Sequence, residues 1–162
     1  MTEIPGPMSG IAGLITPRSV IAQLRAANKR QALQELARRA AMLTGIAERT
    51  IADALTERER LGSTGIGMGT AIPHGKVPGL GALHGIFARL ERPIPFDAID
   101  DQPVDLIFAL LAPEDAGADH LKALALVSRL LRDRAACEKL RGTDSAEALY
   151  ALLTDAGTRD AA

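Results

Sequence analysis

The stretch Val104–Ala112, VDLIFALLA, is a nearly continuous apolar run of strand length that stops at Pro113. A strand with one wet face alternates apolar and polar residues, so a run this unbroken needs cover on both sides. The rest of the chain supplies that cover. Leu33, Leu36, Ala37, Ala40 and Leu43 recur at helical spacing behind Asn28, a good N-cap that Gln31 completes as a capping box, and Gly45 closes the helix. A second helix is expected from Ile46 to Leu61 on the stripe Ala47, Ile51, Ala54 and Leu55, with Arg58 as its next member. A third follows the polar loop Pro113–Asp119 and runs to about Arg132 on Leu124, Val127 and Leu131; His120 begins that row. Two shorter helices are expected at about Ala135–Arg141 and Ala146–Leu153, the second capped by Asp144 with Glu147.

Ser19–Leu24 and His84–Leu90 read as further strands, Ile11–Ile15 as a helical turn ended by Pro17, Lys76–Gly81 as a turn and Glu91–Pro103 as a surface connection. Strands interleaved with helices imply an α/β fold, a three-layer sandwich with helices on both faces of one sheet. The pattern does not fix strand order. Residues 1–8 are expected to be a flexible tail, 9–154 one domain and 155–162 a frayed end.

Net charge is −1 and aromatic residues make up 2% of the chain, so neither an electrostatic case for nucleic acid nor a stacking platform for single strands exists. One cysteine, Cys137, excludes an internal disulfide framework and suits a reducing compartment. No apolar run reaches about 18 residues, and the first residues lack both a basic region and an apolar signal core. The expectation is a cytoplasmic protein with no direct membrane insertion.

Gly62–Gly75, GSTGIGMGTAIPHG, holds five glycines in fourteen residues and then presents His74 on a stiff extended Ala-Ile-Pro segment. A P-loop needs Lys-Ser/Thr where Met68-Gly69 stands, and a dinucleotide fingerprint needs GxGxxG opening a helix where strand follows; neither is present. There is no HExxH, CxxC or close His/carboxylate cluster for zinc, and no G-x-S-x-G elbow gives Ser63 or Ser128 a claim as nucleophile. His84, at a strand start beside Gly85, reads as a surface residue. His120 sits at a helix N-terminus, where the dipole disfavours imidazolium and favours a nearby anion, or where the side chain simply bonds locally. Arg58 either covers apolar surface with its stem or supplies charge near an anion held by the glycine segment.

The run from Arg58 through Gly75, with GSTGIGMGTAIPHGK at its heart, resembles the active-site signature of the fructose/mannitol-type IIA domains of the bacterial phosphotransferase system. PIPFDAIDDQPVDLIFALLAP (93–113) and DHLKALALVSRLLRD (119–133) are similar to the nitrogen-related branch, IIA-Ntr, and the resemblance spans about Ile11 to Asp155. It implies a mixed sheet flanked by helices and a phosphoryl carrier in which His74 corresponds to the phosphorylated histidine, His120 to the second active-site histidine and Arg58 to an arginine before the glycine segment. In that branch phosphate passes from phosphoenolpyruvate through an Enzyme I and an HPr-like carrier (NPr) to the IIA histidine. The branch is regulatory, with potassium-transport systems and sensor kinases among its reported targets. Met68 and Thr70 occupy variable places of the signature, and His84 has no family role.

On this reading neutral His74 attacks the phosphorus of a donor phosphohistidine. The amides of Gly67, Met68 and Gly69 and the charge of Arg58 neutralise the phosphoryl oxygens, His120 donates a hydrogen bond, and no metal or other cofactor is needed. A bond from one ring nitrogen of His74 to a backbone carbonyl sets its tautomer. The alternative is a sugar-transport IIA relaying phosphate to a IIB component for fructose or mannitol uptake; a degenerate binding module on the same fold is the third possibility.

Overall fold

The computed structural model describes residues 10–161, with side chains over 10–155; the expected tail at 1–8 lies outside the described residues. Two 3-10 turns, Ile11–Gly13 and Pro17–Ser19, lead into β1 (Val20–Leu24), α1 (Lys29–Thr44) and α2 (Glu48–Arg60). Asn28 Oδ1 accepts from the Gln31 amide at 2.9 Å as expected of the cap, but Gln31 Oε1 accepts from the Ala27 N–H, one residue before the Asn28 amide that a capping box would use. The glycine segment folds as three short strands, β2 (Gly65–Gly67), β3 (Thr70–Ala71) and β4 (His74–Lys76). Then come β5 (His84–Ile94), β6 (Val104–Ala112), α3 (Ala118–Arg132), α4 (Arg134–Arg141) and α5 (Ala146–Ala161).

The six strands form one mixed sheet in the order β1-β5-β6-β3-β2, with β4 also paired to β6. β6 is its hub. Antiparallel β5 runs along one edge of it, from His84 opposite Leu111 to Ile94 opposite Val104. On its other edge β3 pairs in parallel at Leu106 and Ile107, and β4 pairs in parallel from Leu110 to Ala112.

The run 106–112 is at most 1% exposed throughout, as its composition requires. Ile107, Ala109 and Leu111 pack with Leu33, Leu36, Ile51 and Leu55 of α1 and α2. Leu106, Phe108 and Leu110 pack with Val127, Leu131, Leu140 and Leu149 of α3, α4 and α5. Each large side chain so buried stabilises the fold by about 1.5–3 kcal/mol, and truncating Phe108 to alanine costs about 3–5 kcal/mol because the void adds to the lost transfer energy. The three-layer α/β sandwich is the observed architecture.

Beyond shifts of one or two residues, the elements depart from the sequence expectation in β5 and α5. β5 continues to Ile94 through the expected connection, because its pairing with β1 ends at Leu90 and Pro93 therefore removes no donor from that side of the sheet. The cap of α5 is Ser145, whose Oγ accepts from the Ala148 amide at 3.2 Å, in place of Asp144. That helix also runs past Leu153 to Ala161, since no proline interrupts it and the Thr154 hydroxyl bonds back to the Tyr150 carbonyl within it.

Candidate functional site

His74 is carried by β4, whose short ladder is anchored to β6 by Leu110 N–H donating to the Pro73 carbonyl (2.9 Å) and Val77 N–H donating to the Ala112 carbonyl (2.8 Å). α2 lies directly on this strand: a Cβ on Gly75 would stand 3.0 Å from the Ala54 carbonyl oxygen and 3.4 Å from its Cβ. The missing side chain lets the helix come that close, and Arg58, one turn beyond Ala54, is thereby brought into the same cleft as His74. From the opposite face α3 contributes His120, its third residue. The cleft between them holds about 770 Å³ and includes Glu57, Arg58, Leu61, His74, Lys76 and His120. A somewhat larger groove, about 860 Å³, runs along β1 and α1 and contains neither histidine.

The ring of His74 is fixed by one contact. Its Nδ1 lies 2.8 Å from the Ile72 carbonyl oxygen. A carbonyl only accepts, so Nδ1 carries the proton and Nε2 keeps its lone pair. Burial lowers the His74 pKa below its ordinary 6.5; the bond to Ile72 and the Glu59 carboxylate oppose this, and the Arg58 charge adds to it. The imidazole is neutral at pH 7.

His120 stands edge-on to it, with ring centroids 5.7 Å apart and planes at 71°. It is only 8% exposed, and its Nε2 is buried without a hydrogen-bond partner among the described residues. Burial, then the neighbouring His74 and Lys76, lower its pKa. A buried ring nitrogen left unpaired by protein groups costs stability, and such groups are found at functional sites.

Arg58 donates through Nη1 to the Gly62 carbonyl at 2.8 Å, which holds the guanidinium at the cleft rim. It is half-buried and flanks the buried row of α2, which continues through Ile51, Leu55 and Glu59. The expected continuation of that row through Arg58 is therefore corrected: the i, i+4, i+8 series ends on a carboxylate.

The amides of Gly67, Met68 and Gly69 are not brought to His74. Thr70 is level with Leu106 on β6 and His74 with Leu110, a separation of about 13 Å along the strand. The turn is consumed locally: Met68 N–H donates to Asp100 Oδ2 (2.9 Å), Arg141 Nη2 donates to the Met68 carbonyl (2.7 Å), and the Gly69 carbonyl accepts from Asp105 and Leu106. Met68 takes φ 57° between Gly67 at 100° and Gly69 at 77°, the tight turn that the glycines permit. The expected phosphate ligation by these amides is corrected on that geometry.

His84 differs too from the surface position expected of it. It is half-buried, its Nε2 has no hydrogen-bond partner among the described residues, and burial lowers its pKa. The Cys137 thiol is buried, donates to the Leu131 carbonyl, and is pushed up in pKa chiefly by burial, so it is no nucleophile at neutral pH. Among the described residues no group of three or more His, Cys, Asp or Glu side chains is placed to hold a metal ion, and no helix is long and apolar enough to cross a membrane.

Sequence reasoning passed over Glu59, Thr64 and Lys29, a polar cluster in which Glu59 and Thr64 are buried and Lys29 half-buried. The available signal was the spacing of Glu59 four residues after Leu55 and eight after Ile51.

Over residues 13–156 the chain matches the family described as the phosphoenolpyruvate-dependent sugar phosphotransferase system, EIIA 2, and it belongs to that family. It is 54% identical over 143 residues to a nitrogen regulatory protein of Bradyrhizobium diazoefficiens, covering 88% of this chain and 94% of that one. A nitrogen regulatory protein of Klebsiella oxytoca is 42% identical over 154 residues, 94% of each chain. Among solved structures, nitrogen regulatory protein IIA-Ntr from Neisseria meningitidis superposes with a TM-score of 0.84 at 33% identity, covering 89% of this chain and 99% of the other.

Proposed function

We propose that the protein is a regulatory phosphocarrier of the nitrogen-related phosphotransferase system, accepting a phosphoryl group on His74 from a phosphorylated HPr-like carrier (NPr). The observation that carries this reading is the His74 Nδ1 contact to the Ile72 carbonyl, which leaves Nε2 as the free nucleophile beside the partnerless Nε2 of His120. In the transfer, the Nε2 lone pair of His74 forms a bond to phosphorus as the phosphorus–nitrogen bond of the donor phosphohistidine breaks. The bonding pair returns to the donor ring, and no proton has to leave His74. With its proton on Nε2, His120 donates to a phosphoryl oxygen and gains the bond it lacks. Arg58 and Lys76, at the same cleft, offset the phosphoryl charge.

The relatives named nitrogen regulatory proteins support regulation over sugar transport as the use of this chemistry. The carrier unit is residues 9–154, it works in the cytoplasm, and its phosphorylation state selects protein partners of the kind this branch addresses, potassium-transport components or sensor kinases.

The test is phosphorylation with phosphoenolpyruvate, Enzyme I and the HPr-like carrier. An acid-labile, base-stable phosphoryl group mapped to His74 is the expected result; none, with active upstream proteins, sinks the assignment. Onward transfer to a IIB cysteine would favour the sugar relay instead.

A further inference from the structure

Behind the cleft, one carboxylate ties α2 to the segment that carries His74. The Glu59 side chain is 5% exposed. Its Oε2 accepts from the Thr64 backbone N–H at 2.8 Å and from Lys29 Nζ at 3.1 Å, and its Oε1 accepts from the Thr64 hydroxyl at 2.7 Å. Lys29 is itself fixed, bridging to Asp97 at 3.2 Å with its ammonium 4.9 Å above the Phe96 ring. Thr64 passes the constraint on: its carbonyl accepts the Ile72 N–H at 3.0 Å, and the Ile72 carbonyl in turn accepts from His74 Nδ1 at 2.8 Å.

The peptide between Ile72 and Pro73 is therefore flanked by two held ones. β6 grips the following one through Leu110 and the Pro73 carbonyl, and Glu59 grips the preceding one through Thr64 and the Ile72 N–H. The second grip has little help. β2, which follows Thr64, is a three-residue outer strand with two glycines, so it supplies few contacts of its own. Placing a thrice-bonded carboxylate in the interior is costly unless the bonds are used, and here two of the three fix Thr64, whose carbonyl holds the Ile72 N–H, while the third, from Lys29, holds the carboxylate itself.

We propose that Glu59 is the positioning residue for His74: by pinning Thr64 it fixes the Ile72 carbonyl, and so commits His74 to the Nδ1–H tautomer with Nε2 free. Glu59 touches neither the ring nor the phosphoryl group. The inference rests on His74 being the phosphoryl acceptor, but the tautomer it specifies is measurable in the unphosphorylated protein.

Heteronuclear NMR of the imidazole nitrogens reads that tautomer directly, and transfer kinetics from the phosphorylated carrier read its consequence. In Glu59→Gln the amide keeps the shape but puts a donor against Thr64 and Lys29. The expected result is a mixture of both His74 tautomers and transfer slowed about tenfold at unchanged KM for the donor, as a small misplacement of the nucleophile gives. A folded Glu59→Gln protein with the single Nδ1–H tautomer and the wild-type rate overturns the proposal. If that variant does not fold, Thr64→Val decides, since it removes only the hydroxyl bond: a smaller tautomer shift in the same direction supports the proposal and an unchanged spectrum overturns it. Should wild-type protein accept no phosphate, the carrier reading fails, while the comparison of tautomers between wild type and Glu59→Gln still decides the positioning role.

Discussion

The two ends of β6 are built alike and finished differently. At each, a very short strand from the glycine segment pairs in parallel with the hub, β3 at Leu106 and Ile107 and β4 from Leu110 to Ala112. At the β3 end the polar groups of the adjoining turn find partners within the chain. Arg141 spans the Asp105 carboxylate and the Met68 carbonyl, Arg89 secures the Arg141 carbonyl, and the Asp100 carboxyl is held below its usual range by the Met68 and Gln102 amides. At the β4 end two imidazoles face each other with ring nitrogens left over. Satisfied turns make structure; an end that stays short of bonds is where a transferred group can be received.

Interchanging the consequences of mutation between the ends is the strongest way to break this contrast. His74→Ala should abolish phosphoryl acceptance while leaving the thermal melt close to wild type, and a mutant that is still labelled ends the argument. His120→Ala should slow transfer by about a hundredfold, the usual scale for losing one donor to developing negative charge, with the fold retained; unchanged single-turnover kinetics would remove its role. Arg141→Met should do the reverse, costing about 1–3 kcal/mol in denaturant unfolding through its charge-assisted bonds, with transfer unaffected. A slowed transfer there would mean the two ends are coupled.

The pH dependence sharpens the contrast with the smallest effect. His74, His84 and His120 all have pKa values below 6.5 in the folded protein, chiefly through burial. The unfolded chain therefore binds more protons than the folded one just below pH 6.5, and stability falls as pH drops from there through the folded values. Well above 6.5, where the unfolded histidines are also neutral, these groups contribute no slope. Replacing His74 and His120 by glutamine should flatten the acid limb of a melting-temperature profile, and Arg141→Met should leave its shape intact.

Much of the fold was legible because it depends on local pattern. VDLIFALLA is a doubly covered strand wherever it is placed, and Asn28 with Gln31 starts a helix in any context. His74 was legible because Pro73 and Gly75 bracket it in a stretch with few other side chains. The role expected of Gly67–Gly69 failed for a reason the sequence does not contain. Closeness in the chain suggested closeness in space, but the parallel pairings of β3 and β4 with successive parts of one strand carry the turn and the histidine apart. Glu59 was passed over because a carboxylate in an apolar row counts as an interruption until its partners from Lys29 and Thr64, distant or non-helical, are known. Ser145 displaced Asp144 as a cap by one residue, within the range where flanking geometry decides.

That β6 is the hub of the sheet has a consequence for how the chain is born. β1, β3, β4 and β5 all precede it in sequence, and three of these pair with it directly. As the polypeptide leaves the ribosome, β3 can pair only with the short β2, β4 has no neighbouring edge to join until β6 has emerged, and His120 arrives later still with α3. Long-range pairing of this kind folds slowly and leaves strand edges open meanwhile. The glycine-rich, weakly apolar character of 62–75 is suited to that interval, since a segment with so little to stick waits harmlessly in solvent until its template is made.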